Sequence, residues 1–463
     1  MPLDLPTEAL QRARLSRDPR FDGKFVVAVL STRIYCRVTC PISPAHAVRF
    51  YATPAEAEAA GFRPCLRCRP ETAPGSPAWC GTTATVRRAL RLIDEGALDR
   101  GSVQTLAARL GIGPRHLHRL LINQVGTSPV AIAQTRRLHF AKTLLSDTTM
   151  PITDLALASG YRSVRRFNAA FKETYKRAPR DIRRHPLDTG TDITLRLAYR
   201  PPLDFPASLA FLAEGAIPGV EQITNGTYIR ALRGKSGPFV IRVSSCPGLH
   251  ELRLQVHGAA PADLFDLATT TRRVFDLNAD QEQIHSAFDT NPVIGPLVRA
   301  RPGLRIIGTW SPFEAAIRAI LGNFAGGPSF RATAARLLHC CFQPAPLPET
   351  DLTHLFPSPA ELARADLTHS GFPTDQQATL QHLAAFFASE PAGALLTLEE
   401  IIDHFARLPG LDQSRAHYVA LRGLGEPDAY PAHDRGYPNG NDGWRPWRGY
   451  AAFHLWHASL VGG

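Results

Sequence analysis

No apolar stretch in the chain approaches the roughly 20 residues that a bilayer-spanning helix needs, and the opening "MPLDLPTEALQRARL" has no signal-peptide core. A helical membrane anchor is therefore excluded, and the expectation is a cytoplasmic protein with no membrane partner. Cysteine is sparse: 8 in 463 residues, too few for a disulfide-built scaffold and unsuited to one in a reducing compartment. Acidic residues are scarce in the first part of the chain. Residues 1–185 hold 30 Lys and Arg against 14 Asp and Glu, a net +16, whereas residues 186–463 hold 22 against 27, a net −5. Any polyanion-binding face belongs to the first part.

What is present is ordinary globular composition, 44% hydrophobic and 20% charged, in a chain too long for one core. Length alone predicts about three or four domains.

Four of the eight cysteines fall within 33 residues, while Cys80, Cys246, Cys340 and Cys341 are scattered. Cys36 and Cys40 in "CRVTC" and Cys65 and Cys68 in "CLRC" give a C-x3-C pair followed by a C-x2-C pair. This spacing lets two short knuckles present four thiolates to one tetrahedral zinc. In a segment of about 70 residues the core is marginal, so a purely structural zinc module is the plain alternative. A four-thiolate zinc centre is also nucleophilic at a pH where a free thiol is mostly protonated. Alkylating one sulfur would change the centre from −2 to −1 and weaken its repulsion of phosphates.

Residues 101–185 carry 15 Lys and Arg against four Asp and Glu. Within them "SVQTLAARLGIGPRHLHRLLINQVG" places Val103, Leu106, Ala107 and Leu110 on one helical face. The pattern breaks at Gly111 and Gly113 and restarts at Pro114. It buries Leu117 and Leu121 and leaves Arg115, His116, His118 and Arg119 outward. The arrangement recurs in "PITDLALASGYRSVRRFNAAFKETY", with a break at Gly160, a cap at Ser163, and Val164, Phe167 and Phe171 inward. Ser163, Arg165, Arg166, Ala169 and Lys172 are left for a DNA groove.

From residue 191 the period changes to two, as in "TDITLRLAYR" and "YIRALRGKSGPFVIRV", which predicts strands with a short helix; Ala- and Leu-rich helical sequence follows from about 261.

Three resemblances follow from these segments. "DPRFDGKFVVAVLSTRIYCRVTC" with "VRFYATPAEAEAAGFRPCLRCRP" resembles the N-terminal domain of the Ada family of adaptive-response proteins. The resemblance implies zinc on Cys36, Cys40, Cys65 and Cys68, with Cys36 accepting a methyl group from a DNA methylphosphotriester and Thr32 near the phosphate. "PISPAHAV" is about two residues shorter than the family pattern and lacks its arginine, which predicts weaker phosphotriester recognition. The helical repeats, with "YKRAPRDIRR", resemble the AraC-family DNA-binding domain and imply two recognition helices in successive major grooves. They imply a transcription activator on promoter DNA, with RNA polymerase as its partner. "ARPGLRIIGTWSPFEAAIRAILGN", "LPGLDQSRAHYVALRGLGEPDAYPAHD" and "GWRPWRGYAAFHLW" resemble AlkA-type 3-methyladenine DNA glycosylases. That resemblance implies base flipping and one catalytic carboxylate, Asp434.

Departures in this last segment predict an impaired grip on DNA. Asp412, Ser414 and Arg415 replace a glycine, an aromatic and a threonine of the family hairpin, Asn323 replaces a glutamine, and the connection from Asp434 to Trp444 is short. No "PCHR" sequence occurs, so transfer from O6-alkylguanine is not expected. The expected fold is multidomain α+β. It comprises an Ada-type zinc domain at 5–72, an all-α AraC-type double helix-turn-helix at 85–185, an AlkA N-terminal-like α+β domain at 191–300 and an all-α helix-hairpin-helix domain at 301–463. A bacterial, nucleoid-associated alkylation-response protein is the combined expectation. A zinc-containing regulator with a non-catalytic glycosylase-like domain is the alternative.

Overall fold

The computed structural model describes residues 5–68, 70, 73, 84–94, 96–183, 192–322, 327–342, 344, 347, 350–389, 398–431 and 442–461. Among these no helix is long and apolar enough to cross a membrane.

The cysteine module is built on a four-stranded sheet: β1 (Val26–Val29), β2 (Ile34–Cys36), β3 (Val48–Tyr51) and β4 (Arg63–Pro64), in the order β3-β1-β2-β4. The strand period of two sorts β1 between two small cores. Val26 and Ala28 join Tyr35, Tyr51, Ala57 and Phe62 on one face, while Val27 joins Leu10, Ala13, Phe25 and Val38 on the other. Two cores this small agree with a module that needs a metal to hold it.

Both helix-turn-helix units form as their periodicity predicts. In the first, Ser102 caps Val103–Arg109 by accepting from the Thr105 N–H, Gly111 turns the chain at φ +66°, and Pro114 opens Pro114–Val125. In the second, Ile152–Ala158 is followed by Val164–Tyr175, capped by Ser163 Oγ from the Arg166 N–H. The 19-residue helix Pro129–Asp147 joins the two units. Leu106, Leu117 and Leu121 fill the first unit, and Phe167, Phe171 and Tyr175 the second.

A five-stranded antiparallel sheet follows: β5 (Asp192–Ala198), β6 (Glu221–Thr224), β7 (Thr227–Arg233), β8 (Pro238–Ser245) and β9 (Glu251–His257), in the order β5-β9-β8-β7-β6. The helix Phe205–Glu214 packs on it, and helices predominate from Leu264 onward. One continuous core runs from Leu138 of the joining helix through this sheet to Trp456 of the last helix. No break in packing falls at residue 300. Arg230 of β7 and Glu221 of β6 are buried against Glu314 and Arg318 of the helix Pro312–Leu321, so sheet and helical part share one interior.

Candidate metal centre and nucleic-acid interface

Strand β2 delivers Cys36 opposite Val27 of β1, and the turn after it brings Cys40 back, its N–H donating to the Arg37 carbonyl at 3.1 Å. The Cys65 N–H donates to the Tyr35 carbonyl at 2.9 Å, which fixes the second knuckle beside the first. The ligand atoms of Cys36, Cys40, Cys65 and Cys68 all lie within 4.8 Å of one another. The sequence spacing thus becomes a single cluster. Hydrogen bonding to Cys40, Cys65 and Cys68 pushes the Cys36 thiol up, whereas hydrogen bonds from Cys36, Cys40 and Cys68 hold Cys65 far down. Four sulfurs this close contend for protons because adjacent thiolates repel. A soft divalent cation removes that conflict, so the donor set fits zinc.

Around the cluster stand residues that spacing alone did not reveal. The Arg37 N–H donates to Cys68 Sγ at 3.4 Å, and its guanidinium is chelated by Asp22, with Nε 3.0 and 2.9 Å from the two carboxylate oxygens. Tyr35, next to Cys36, donates its hydroxyl to Glu58 at 2.8 Å. Glu58 also accepts from Thr135 Oγ1 at 2.6 Å and lies 3.6 Å from His139 Nε2, both on the joining helix. Burial raises the Glu58 carboxyl, but these partners outweigh it and hold the group below its usual range. No local motif signals such contacts, since 77 residues separate Glu58 from Thr135. Thr32, in the β1–β2 turn, is exposed.

On the two second helices Arg115, His116, His118, Arg119, Arg165, Arg166 and Lys172 are all exposed, while Ser163 is half-buried as a cap. Both basic faces are open to a polyanion.

In the last part, Leu408, Gly410 at φ +76° and Leu411 form a hairpin between Leu398–Ala406 and Gln413–Tyr418. Asp412 is the N-cap of the second helix, accepting from the Arg415 N–H at 2.8 Å. Arg415 in turn lies 3.5 Å from the Asp412 carboxylate and donates to the Gly410 and Ala319 carbonyls at 3.1 Å. The acid expected only to repel phosphate therefore has a folding role and a neighbouring counter-charge. Asp412→Ala should cost about 1 kcal/mol through loss of the cap, while removing a negative charge near any bound phosphate. Urea unfolding and duplex binding at two salt concentrations check the two effects, with weaker stability and equal or tighter binding expected.

Behind the hairpin, buried Tyr418 accepts from Arg422 Nη1 at 2.7 Å, and Tyr430 lies 6.0 Å from Trp444. His417 Nδ1 accepts from the Tyr430 N–H at 3.2 Å; burial, then the Arg448 and Arg445 charges, lower its pKa to about 4, so the ring remains a neutral acceptor. Asp434, Asn323 and the connection leading to Trp444 lie outside the described residues.

A four-cysteine metal site, paired basic helix-turn-helix units and a sheet-plus-hairpin fold together define a multidomain DNA-binding protein with a glycosylase-like second part. Three family descriptions match it: the metal binding domain of Ada over residues 9–71, a helix-turn-helix domain over 106–185, and the AlkA N-terminal domain over 194–311. The chain is 37% identical over 484 residues to the "Probable bifunctional transcriptional activator/DNA repair enzyme AlkA" of Mycobacterium tuberculosis, covering 97% of this chain and 96% of that one. It is 40% identical over 127 residues to the "Bifunctional transcriptional activator/DNA repair enzyme Ada" of Escherichia coli, covering 27% of this chain and 34% of that protein. The 3-methyladenine DNA-glycosylase of Archaeoglobus fulgidus shares the fold of the second part, with TM-score 0.50, 14% identity, and coverage of 58% of this chain and 99% of that one. The chain belongs to the bifunctional Ada/AlkA-type family of DNA-repair and transcription proteins.

Proposed function

We propose that Cys36 takes a methyl group from a methylphosphotriester in duplex DNA, and that the methylated protein binds promoter DNA more tightly and activates transcription. The observation that carries this reading is the four-sulfur cluster at the end of β2, within a chain that also holds two exposed basic helices. Zinc held by Cys36, Cys40, Cys65 and Cys68 would keep the sulfurs deprotonated and nucleophilic at neutral pH. Cys36 Sγ attacks the methyl carbon; an S–C bond forms, the C–O bond breaks, and its electron pair leaves on the phosphate oxygen as a diester anion. The resulting thioether is neutral and has no easy return route, so each chain reacts once. Arg115, His116, His118 and Arg119 on one helix, and Ser163, Arg165, Arg166 and Lys172 on the other, contact two successive grooves. RNA polymerase is the partner this activity requires.

The second part, in this reading, excises alkylated bases such as 3-methyladenine, with Asp434 supplying the carboxylate that stabilises the positive charge developing on the sugar during C–N cleavage. We assign the working units to residues 5–72, 85–185, 191–300 and 301–463, the last two sharing one core. On alkylated duplex DNA the wild-type chain should produce abasic sites, and Asp434→Asn should slow this about 10²-fold or more. Abasic sites absent with wild type would make the second part a non-catalytic scaffold, the reading that Ser414 and Asp412 in the hairpin favour.

A further inference from the structure

The cysteine module does not hang from the rest of the chain by its linker alone. Its loop Asp18–Lys24 is seated on residues 278–282 of the glycosylase-like part. Arg200, only 1% exposed, bridges the seam: its Nε donates to the Asp22 carbonyl at 2.8 Å and its Nη1 to the Asn278 carbonyl at 2.7 Å. Arg305 holds the Arg200 carbonyl from the far side. Two residues along, Lys24 Nζ lies 2.8 Å from buried Asp280 and 3.4 Å from Glu282, and Arg20 lies 3.7 Å from Glu282.

The same Asp22 whose carbonyl receives Arg200 uses its side chain to chelate Arg37. Arg37 directly follows Cys36, and its backbone N–H reaches Cys68 Sγ. A planar guanidinium donates in fixed directions, so Arg200 sets where the Asp22 backbone lies, and Asp22 sets where the Arg37 charge lies beside the thiolates. Groups that hydrogen-bond the ligands of a metal from outside control their orientation and reactivity.

We infer that Arg200, in the glycosylase-like part, is a positioning residue for the methyl-acceptor centre, acting through Asp22 and Arg37 across this seam. The inference rests on the reading of Cys36 as acceptor only for its effect on methyl transfer; the docking itself does not. In consequence the glycosylase-like part serves the first repair reaction as well as its own.

The test uses the full-length, zinc-loaded chain with three readouts: hydrogen exchange of the amides of residues 20–24 and 36–40, zinc capture by a chromophoric chelator, and single-turnover methyl uptake. Arg200→Met should speed exchange in 20–24 and zinc capture, and slow methyl uptake, each by about tenfold. Lys24→Glu and Asp280→Lys should each loosen the loop, and the double variant should restore it. The reversed pair keeps the test decisive if Arg200→Met fails to fold. Exchange in 20–24 unchanged by Arg200→Met, or single Lys24 and Asp280 changes without effect on it, would overturn the inference. Absence of methyl uptake in wild type would instead sink the acceptor reading, leaving exchange and zinc capture to decide the seam.

Discussion

Cys36→Ser should abolish methyl uptake from duplex DNA carrying methylphosphotriesters, while a wild-type chain should gain one methyl and no more. Peptide mass mapping locates the label, and the expected site is Cys36 alone. Cys40→Ser, Cys65→Ser and Cys68→Ser also each remove one ligand from the cluster, as Cys36→Ser does, but they leave the acceptor sulfur in place. Their expected fault is lost zinc and a loosened module rather than a missing acceptor. Zinc quantification beside the methylation assay shows whether lost uptake accompanies lost zinc, and the mapped label identifies the acceptor. The consequence for DNA binding follows from charge. Converting one thiolate to a thioether removes one negative charge, worth about 0.8 kcal/mol in water for each phosphate about 5 Å from the sulfur. Promoter affinity should therefore rise several-fold on methylation, with the gain shrinking as salt is added. A label found on Cys40 or Cys65 would refute the assignment of Cys36.

Much of this site was legible because its determinants are local. Two cysteines three or four residues apart must share a turn, and the knuckles close once β2 and β4 pair, Tyr35 opposite Pro64. The helix-turn-helix units were legible for a related reason: an apolar stripe of period 3.6, a glycine that breaks it and a cap that restarts it act within about 25 residues. Ser163 illustrates the limit. Its residue type marked a cap and a DNA contact alike, and the structure assigns it the cap. Asp412 was read only through its charge, whereas its position three residues before Arg415 also made it an N-cap. Glu58 and Arg200 carried no legible signal at all. Their partners lie 77 and 178 residues away, and such pairings emerge only from packing between modules.

The same long-range logic governs the second part. Glu314 sits on the helix Pro312–Leu321 and accepts from Arg230 at 3.1 and 2.7 Å and from Arg318 Nε at 2.9 Å. Glu221 of β6 accepts from Arg230 at 2.7 Å, from Arg318 at 2.5 Å, and from the Tyr228 hydroxyl. All four charged side chains are buried, so two cations and two anions balance where water does not reach. Glu314→Ala leaves two guanidinium groups sharing one carboxylate and should destabilise the chain by about 3–5 kcal/mol. Glu314→Gln keeps the shape and should also destabilise, because the charge is what the arginines require. Acid should act on the same lattice. Burial raises the Glu221 carboxyl, but Arg230 and Arg318 outweigh that and bring it to about 2. A carboxyl lowered on folding stabilises the protein fully above its unfolded value near 4.3, and that contribution disappears as pH falls toward 2. Urea midpoints measured from pH 6 down to pH 2 should fall through this window in wild type. Because the lattice joins β6 and β7 to the helix that starts at Pro312, Glu314→Ala should lower the unfolding midpoints of sheet and helical part together. Two separated transitions, with the sheet unaffected, would show that the parts on either side of residue 300 fold independently, against the shared core from which the prediction is drawn.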